Sequence, residues 1–234
     1  QRSAPLLVNP KPSWHKYSWM AEFVANIPHY RKNTVETVRL AIAAREHLHA
    51  TAAREGFAFD IEERGILHVY KNKKDYDHAA RVNVLLAEGG LTRDAVSPSE
   101  IKTIEPAVHG EFYGGFFTPS DATGDIHMYS RGLSDACQKK GVTFHYSSDV
   151  TKITPSETGH VVKWKDNKGA KSDGEVDAVV ICAGVSSRKF GKMLGDRVNI
   201  YPVKGYSITV KLDDDVSREA APWVSLLDDN AKVV

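Results

Sequence analysis

Only two cysteines, Cys137 and Cys182, occur in 234 residues. That is too few for a disulfide framework, and each lies in an apolar helical or strand-like pattern where a buried free thiol is common, so a reducing compartment is expected. No apolar run approaches the roughly 18 to 20 residues that a membrane-spanning helix needs, and no secretory leader pattern opens the chain. Charge of one sign is not in excess. With 31 Lys and Arg against 30 Asp and Glu, the formal net charge is +1, which gives no strong pull toward nucleic acid. The ten histidines are scattered. They include no His-x-x-x-His helix and lie apart from the cysteines, so no zinc set is expected. Also missing is any Gly-x-Gly-x-x-Gly, the spacing that brings backbone amides and a helix N-terminus against a dinucleotide pyrophosphate.

What is present is enough for one large or two interleaved smaller domains. Ser13 can cap a helix over about 14–27, and the aromatic stripe Trp14, Tyr17, Trp19 and Phe23 reads as core. Asn33 is placed to cap a longer helix with Val35, Val38, Ile42 and Leu48 on one face, ending at Gly56. A strand is expected over 65–70, a helix over 74–88 stopped by Gly89-Gly90, and a short helix opened by the capping box Ser97-Pro98-Ser99-Glu100. The run 112–118 reads as a strand whose paired glycines admit another backbone or a ligand. Asp125 is expected to cap a helix running to Gly141, 142–146 to form a strand, and 150–176 an antiparallel meander. The apolar run 176–184 reads as a strand buried on both faces of a parallel sheet, and 201–209 as an extended pair.

Three stretches are candidates for chemistry. Small residues at the carboxyl end of the apolar run, Ala183 and Gly184, would let a flat cofactor lie against the backbone, although a glycine there also serves a plain strand-to-helix turn. Between a strand and a helix, Asp121, Thr123 and His127 can reach a cleft, whereas Asp125 is better read as a cap. In 201–207, Pro202 and Gly205 bracket Lys204, suggesting a bulge or close approach; the lysine can meet a carboxylate or simply be solvated.

The order Ile104-Glu105-Pro106-Ala107, then Gly114-Gly115-x-x-x-Pro119-x-Asp121-x-Thr123-Gly124-Asp125, then Tyr201-Pro-Val-Lys-Gly-Tyr-Ser-Ile-Thr209 resembles the bacterial D-amino acid dehydrogenases, in their small subunits, which are part of the D-amino acid oxidase-like group. The stretch 222–234, with Ser225 and Asp228 before Lys232-Val233, is similar as well. The resemblance implies an α+β, α/β architecture in which an antiparallel-sheet substrate domain is interleaved with part of an FAD-binding domain. In these terms 1–125 is the mostly helical, substrate-binding portion, 126–195 the flavin-domain portion with its meander, and 196–234 a return to the substrate sheet. It implies FAD near Val150, Ala183, Gly184 and Gly205, with the glycine fingerprint upstream of Gln1 and a further flavin-contacting segment beyond Val234.

The implied reaction is oxidative deamination of a D-amino acid to a 2-oxo acid and ammonia, with a quinone or another acceptor taking the electrons. A substrate carboxylate clamp is expected from arginine or tyrosine, for which Tyr113, Tyr129, Arg131 and Tyr206 are the candidates. The resemblance also implies a cytoplasmic protein with a peripheral place on the inner membrane. These 234 residues are not expected to turn over by themselves. Two alternatives stay open: a glycine or sarcosine type of amine oxidase, and a folded binding module without catalysis.

Overall fold

A computed structural model describes residues 9–228, which fall into two compact units: 28–142 with 208–228, and 9–27 with 143–207. In the first unit, α2 (Tyr30–Glu55) packs against α3 (Lys73–Glu88) and α5 (Ile126–Lys139). Asn33 lies inside α2, not at its cap, because the helix begins three residues earlier, directly after the 3-10 turn Ile27–His29. Its end is as expected: Gly56 is left-handed and its amide reaches the carbonyl of Ala52. Asn72 caps α3, and the end of α3 lies so close to α2 that a Cβ on Gly89 would fall 2.6 Å from Cβ of Val38.

Four strands form the sheet of this unit in the order β2-β3-β1-β7: β1 (Ile66–Tyr70), β2 (Asp94–Val96), β3 (Gly114–Thr118) and β7 (Ser225–Asp228). The β2–β3 and β3–β1 pairs are antiparallel, whereas β7 runs parallel to β1, with Leu67 opposite Leu226. The period of two then sorts the side chains. Leu67, Val69 and Val96 point to one face and join Ile101, Val108 and Val224, with Phe112, Phe117 and Leu226 packed around them. Tyr70 and Phe116 point to the other face, where Ala79 of α3 and the ring of Tyr76 cover them. The paired glycines of β3 serve this packing: a Cβ on Gly114 would lie 2.9 Å from the Tyr76 ring, and one on Gly115 2.7 Å from the carbonyl of His68. The capping box of α4 (Pro98–Ile104) forms with both of its hydrogen bonds, and Ser97 holds the Glu100 carboxyl below the usual carboxylate range. Asp125 caps α5 through the amide of Met128.

The second unit carries the antiparallel meander β4 (Ser148–Pro155), β5 (His160–Asp166) and β6 (Lys171–Val176). The helix α6 (Ser187–Leu194) packs on β4, and α1 (Trp14–Asn26) belongs to the same unit. Four expectations fail here. Residues 142–146 and 201–209 form no strand, and of the run 176–184 only Val176 is in one, as the last residue of β6; Val180 is 86% exposed, not buried on both faces, and Cys182 is exposed. An apolar run becomes a strand only when another strand meets its N–H and C=O groups, and among the described residues none does. The aromatic stripe of α1 also divides. Trp19 rests on Tyr201, with ring centroids 5.7 Å apart, whereas Trp14, Tyr17 and Phe23 are exposed. The remaining helix, α7 (Asp215–Ala220), belongs to the first unit and is short and capped by Asp214.

Glu22 fixes α1 in this unit. It pairs with Arg197 and accepts a hydrogen bond from Nδ2 of Asn199 at 2.7 Å. These bonds, first that of Asn199 and then that of Arg197, hold its carboxyl below the usual range. Because its folded value is depressed, the stabilisation is complete above the ordinary glutamate value and is lost as pH falls through the lowered one. The unfolding midpoint of the protein should therefore fall more steeply with acidification over that window than that of Glu22→Gln. Parallel acid profiles for the two proteins would contradict this anchoring.

Candidate functional site

The sheet positions a pocket of about 680 Å³ on the face that carries Val69, Val108 and Phe112, alongside β7. Besides Lys71 and Thr123, its polar rim comes from three segments. Residues 62–65 bring Glu62 and Arg64, 107–112 bring His109, and 222–228 bring Trp223, Ser225 and Asp228. Gly65 makes the first segment's approach feasible: its φ is +75°, and a Cβ there would lie 2.5 Å from the Phe117 ring and 2.8 Å from the carbonyl of Thr118. The guanidinium of Arg64 lies 4.5 Å from the Trp223 ring centre and donates from Nε to Glu62 at 2.9 Å. The hydroxyls of Thr123 and Ser225 are 2.6 Å apart, and Lys71 pairs with Asp228 at 3.2 Å. The pocket thus offers an apolar floor, a stacked cation and a pair of hydroxyls, a combination suited to a small polar ligand with an anionic end.

Glu105 holds this wall in place. It is fully buried, and its carboxylate accepts from the amides of Ala107 (3.0 Å), Trp223 (2.6 Å) and Val224 (2.8 Å). The end of α4 is thereby tied to the segment that leads into β7, 118 residues further along the chain. Such a carboxylate needs those donors, since a buried acceptor without partners costs several kcal/mol.

The sequence candidates are spread over the two units. Thr123 lines the pocket, while Asp121 pairs with Arg45 at 3.2 Å in a smaller cavity of about 210 Å³ that Tyr129 also lines. Tyr129 meets the rings of Phe57 and Phe59, each at 5.2 Å, and Tyr113 lies against Tyr76 at 5.4 Å. Arg131 and His127 are exposed on α5. None of Tyr113, Tyr129, Arg131 and Tyr206 lines the pocket beside β7, and Tyr206 is 92% exposed in the other unit. There, Val150 is half-buried opposite Trp164, just before a β-bulge, and Lys204 and Gly205 are exposed. Lys232-Val233 lies outside the described residues. Arg64, Trp223 and the role of Glu105 were not singled out in the sequence. Glu105 was visible as part of a motif, but nothing local shows that its partners are Trp223 and Val224.

A family model described as FAD dependent oxidoreductase matches residues 9–234. The chain belongs to this family. Among relatives, "D-amino acid dehydrogenase 3" of Mesorhizobium japonicum is 58% identical over the whole chain, which covers 56% of that protein. A D-amino acid dehydrogenase of Paramagnetospirillum magneticum is 35% identical, again over the whole chain and 55% of that protein. The chain therefore spans about half the length of the relatives it matches. Among solved structures, glycine oxidase from Geobacillus kaustophilus superimposes with a TM-score of 0.55 over 68% of this chain and 41% of its own, at 21% identity. L-proline dehydrogenase from P. horikoshii does so with 0.54 over 70% and 40%, at 18% identity. These two likenesses carry the fold, an α+β arrangement of helices with mixed and antiparallel sheets.

The family's cofactor can be compared with the chain at the turn into α6. Gly184 has φ +54°, and a Cβ there would meet nothing within 4 Å; Ala183 is only half-buried and its amide is held by Ser187 Oγ at 3.2 Å. This open ledge of small residues fits the edge of a flat ring system. The glycine loop for a pyrophosphate is not among these 234 residues.

Replacing Glu105 tests the wall of the pocket. Glu105→Gln presents an amide N–H where a carboxylate oxygen received backbone donors, and should lower stability by about 1–3 kcal/mol. Glu105→Ala should cost at least as much. Urea unfolding midpoints measure both, and a midpoint unchanged in either variant would contradict the assignment.

Proposed function

We propose that the protein oxidatively deaminates D-amino acids, and the observation that carries this reading is the 58% identity, along the whole chain, with a protein named D-amino acid dehydrogenase 3. Bound FAD supplies the acceptor for the hydride that leaves the substrate α-carbon. The amine loses a proton as the C=N bond forms, and water then converts the imino acid to a 2-oxo acid and ammonia. On this reading Val150, Ala183, Gly184 and Gly205 are the residues that would face the cofactor. Tyr113, Tyr129, Arg131 and Tyr206 stay as carboxylate-clamp candidates, and Arg64 joins them because its guanidinium is the cation stacked in the wall of the pocket. A stacked, hydrogen-bonded guanidinium is already oriented, so it would hold a carboxylate with little further ordering.

The electrons pass to a quinone or another acceptor rather than to oxygen, and the working place is cytoplasmic, on the periphery of the inner membrane. This separates the proposal from a glycine or sarcosine type of oxidase. With the flavin-loaded whole protein of which this chain is part, a D-amino acid should drive reduction of an artificial dye and release ammonia without peroxide. Stoichiometric peroxide would favour the oxidase, and no turnover of any D-amino acid in the presence of dye would overturn the proposal. Arg64→Ala should raise KM about tenfold or more while kcat changes little, as expected when binding common to ground and transition states is lost. An unchanged KM would remove Arg64 from the substrate's surroundings.

A further inference from the structure

The pocket beside β7 is larger than a small amino acid requires. Its volume of about 680 Å³ falls among cavities that enclose ligands of drug size, roughly 300–1,000 Å³. It is also drawn out along β1. Gly65, next to the stacked Arg64, and Val69 both line it, and four residues of extended chain separate them by about 13 Å. A substrate carboxylate held by Arg64 at one end leaves the other end to whatever the α-carbon carries. A methyl group stops far short of it.

That far end is apolar and firm. Val69 and Val108 are buried members of the core cluster, and Phe112 and Leu226 pack against it, so the floor of the pocket is the outer layer of the core itself. A close-packed core does not collapse around a ligand too small to fill the space. Val108 is fixed further by the turn after α4: its amide donates to the carbonyl of Glu105 at 3.2 Å, and the Glu105 carboxylate holds the amide of Ala107 beside it. The charges here are already matched, since Lys71 pairs with Asp228 at 3.2 Å. A charged side chain entering this end would have to displace one partner of that pair and lose its own hydration, whereas an uncharged apolar side chain displaces only water.

We infer that the pocket selects D-amino acids with large, uncharged, apolar side chains, such as those of leucine, methionine and phenylalanine, and that Val108 and Phe112 determine the choice. This rests on the deamination proposed above, with Arg64 as the partner of the substrate carboxylate. Dye-coupled kcat/KM of the flavin-loaded whole protein, compared across D-amino acids, tests it. D-phenylalanine and D-leucine should exceed D-alanine about tenfold or more, because a single methylene in an apolar pocket is worth about 10–200-fold. D-lysine and D-glutamate should fall about tenfold or more below D-leucine. Val108→Phe, which fills the far end, should lower the ratio of D-phenylalanine to D-alanine about tenfold, and Phe112→Ala, which enlarges it, should raise the ratio of D-tryptophan to D-phenylalanine. Each result is a ratio within one protein, so it does not depend on how much of a variant folds. Calorimetry adds a readout without turnover: 3-phenylpropionate, which has the carboxylate but no reacting amine, should bind about tenfold or more tighter than propionate. A ratio of D-phenylalanine to D-alanine near or below one, a charged D-amino acid preferred to D-leucine, or ratios unmoved by both substitutions would overturn the inference and leave the deamination in place. No turnover of any D-amino acid would overturn the reading beneath it, and propionate binding as tightly as 3-phenylpropionate would overturn the selectivity of the pocket whatever the reaction.

Discussion

The carboxylate of Glu105 is the interaction on which the first unit's site depends. Three backbone amides converge on it, two of them from residues more than a hundred positions away in the chain. Without it, the turn after α4 and the segment entering β7 would have no common acceptor, and β7 would keep its parallel pairing with β1 and its side-chain contacts but lose its tie to α4. Everything that makes the pocket specific hangs from this joint. Trp223 is placed beneath Arg64, Ser225 beside Thr123, and Asp228 within reach of Lys71. Since loop closure over such a separation has an entropic cost, a buried charged acceptor with several donors is a physically reasonable device for fixing the register.

The second unit shows the same logic in a different place. Glu22 draws Arg197 and Asn199 onto α1, so the polar side of the helix faces its own unit and its apolar side is left outward. A helix moment read from sequence gives the division into two faces without saying which face the protein keeps. Here the decision is made by a carboxylate and its partners in the 197–201 segment, and the surface chemistry follows from it.

What the sequence makes legible is what is decided locally. The Ser97 capping box, the left-handed Gly56, the Asp125 cap and the antiparallel meander each depend on residues within a few positions of one another, and each is found as read. The misplaced cap at Asn33 shows the limit even there, since a 3-10 turn led directly into α2 before the polar residue was reached. The failed strands at 142–146, 178–184 and 201–209 have suitable composition but meet no ladder partner among the described residues, and strand formation is a property of pairs. The motif containing Glu105 was visible as a resemblance. Its physical meaning was not, because the amides that it receives have no sequence signature.

The central claim is that this chain is part of a flavoprotein that takes hydride from the α-carbon of a D-amino acid. Mixing the flavin-loaded protein anaerobically with each enantiomer of alanine, while following the flavin absorbance near its visible maximum, tests it most directly. The account predicts rapid bleaching with the D-enantiomer and an unchanged spectrum with the L-enantiomer. Bleaching by the L-enantiomer alone, or by neither enantiomer of alanine or of any other amino acid, would contradict it.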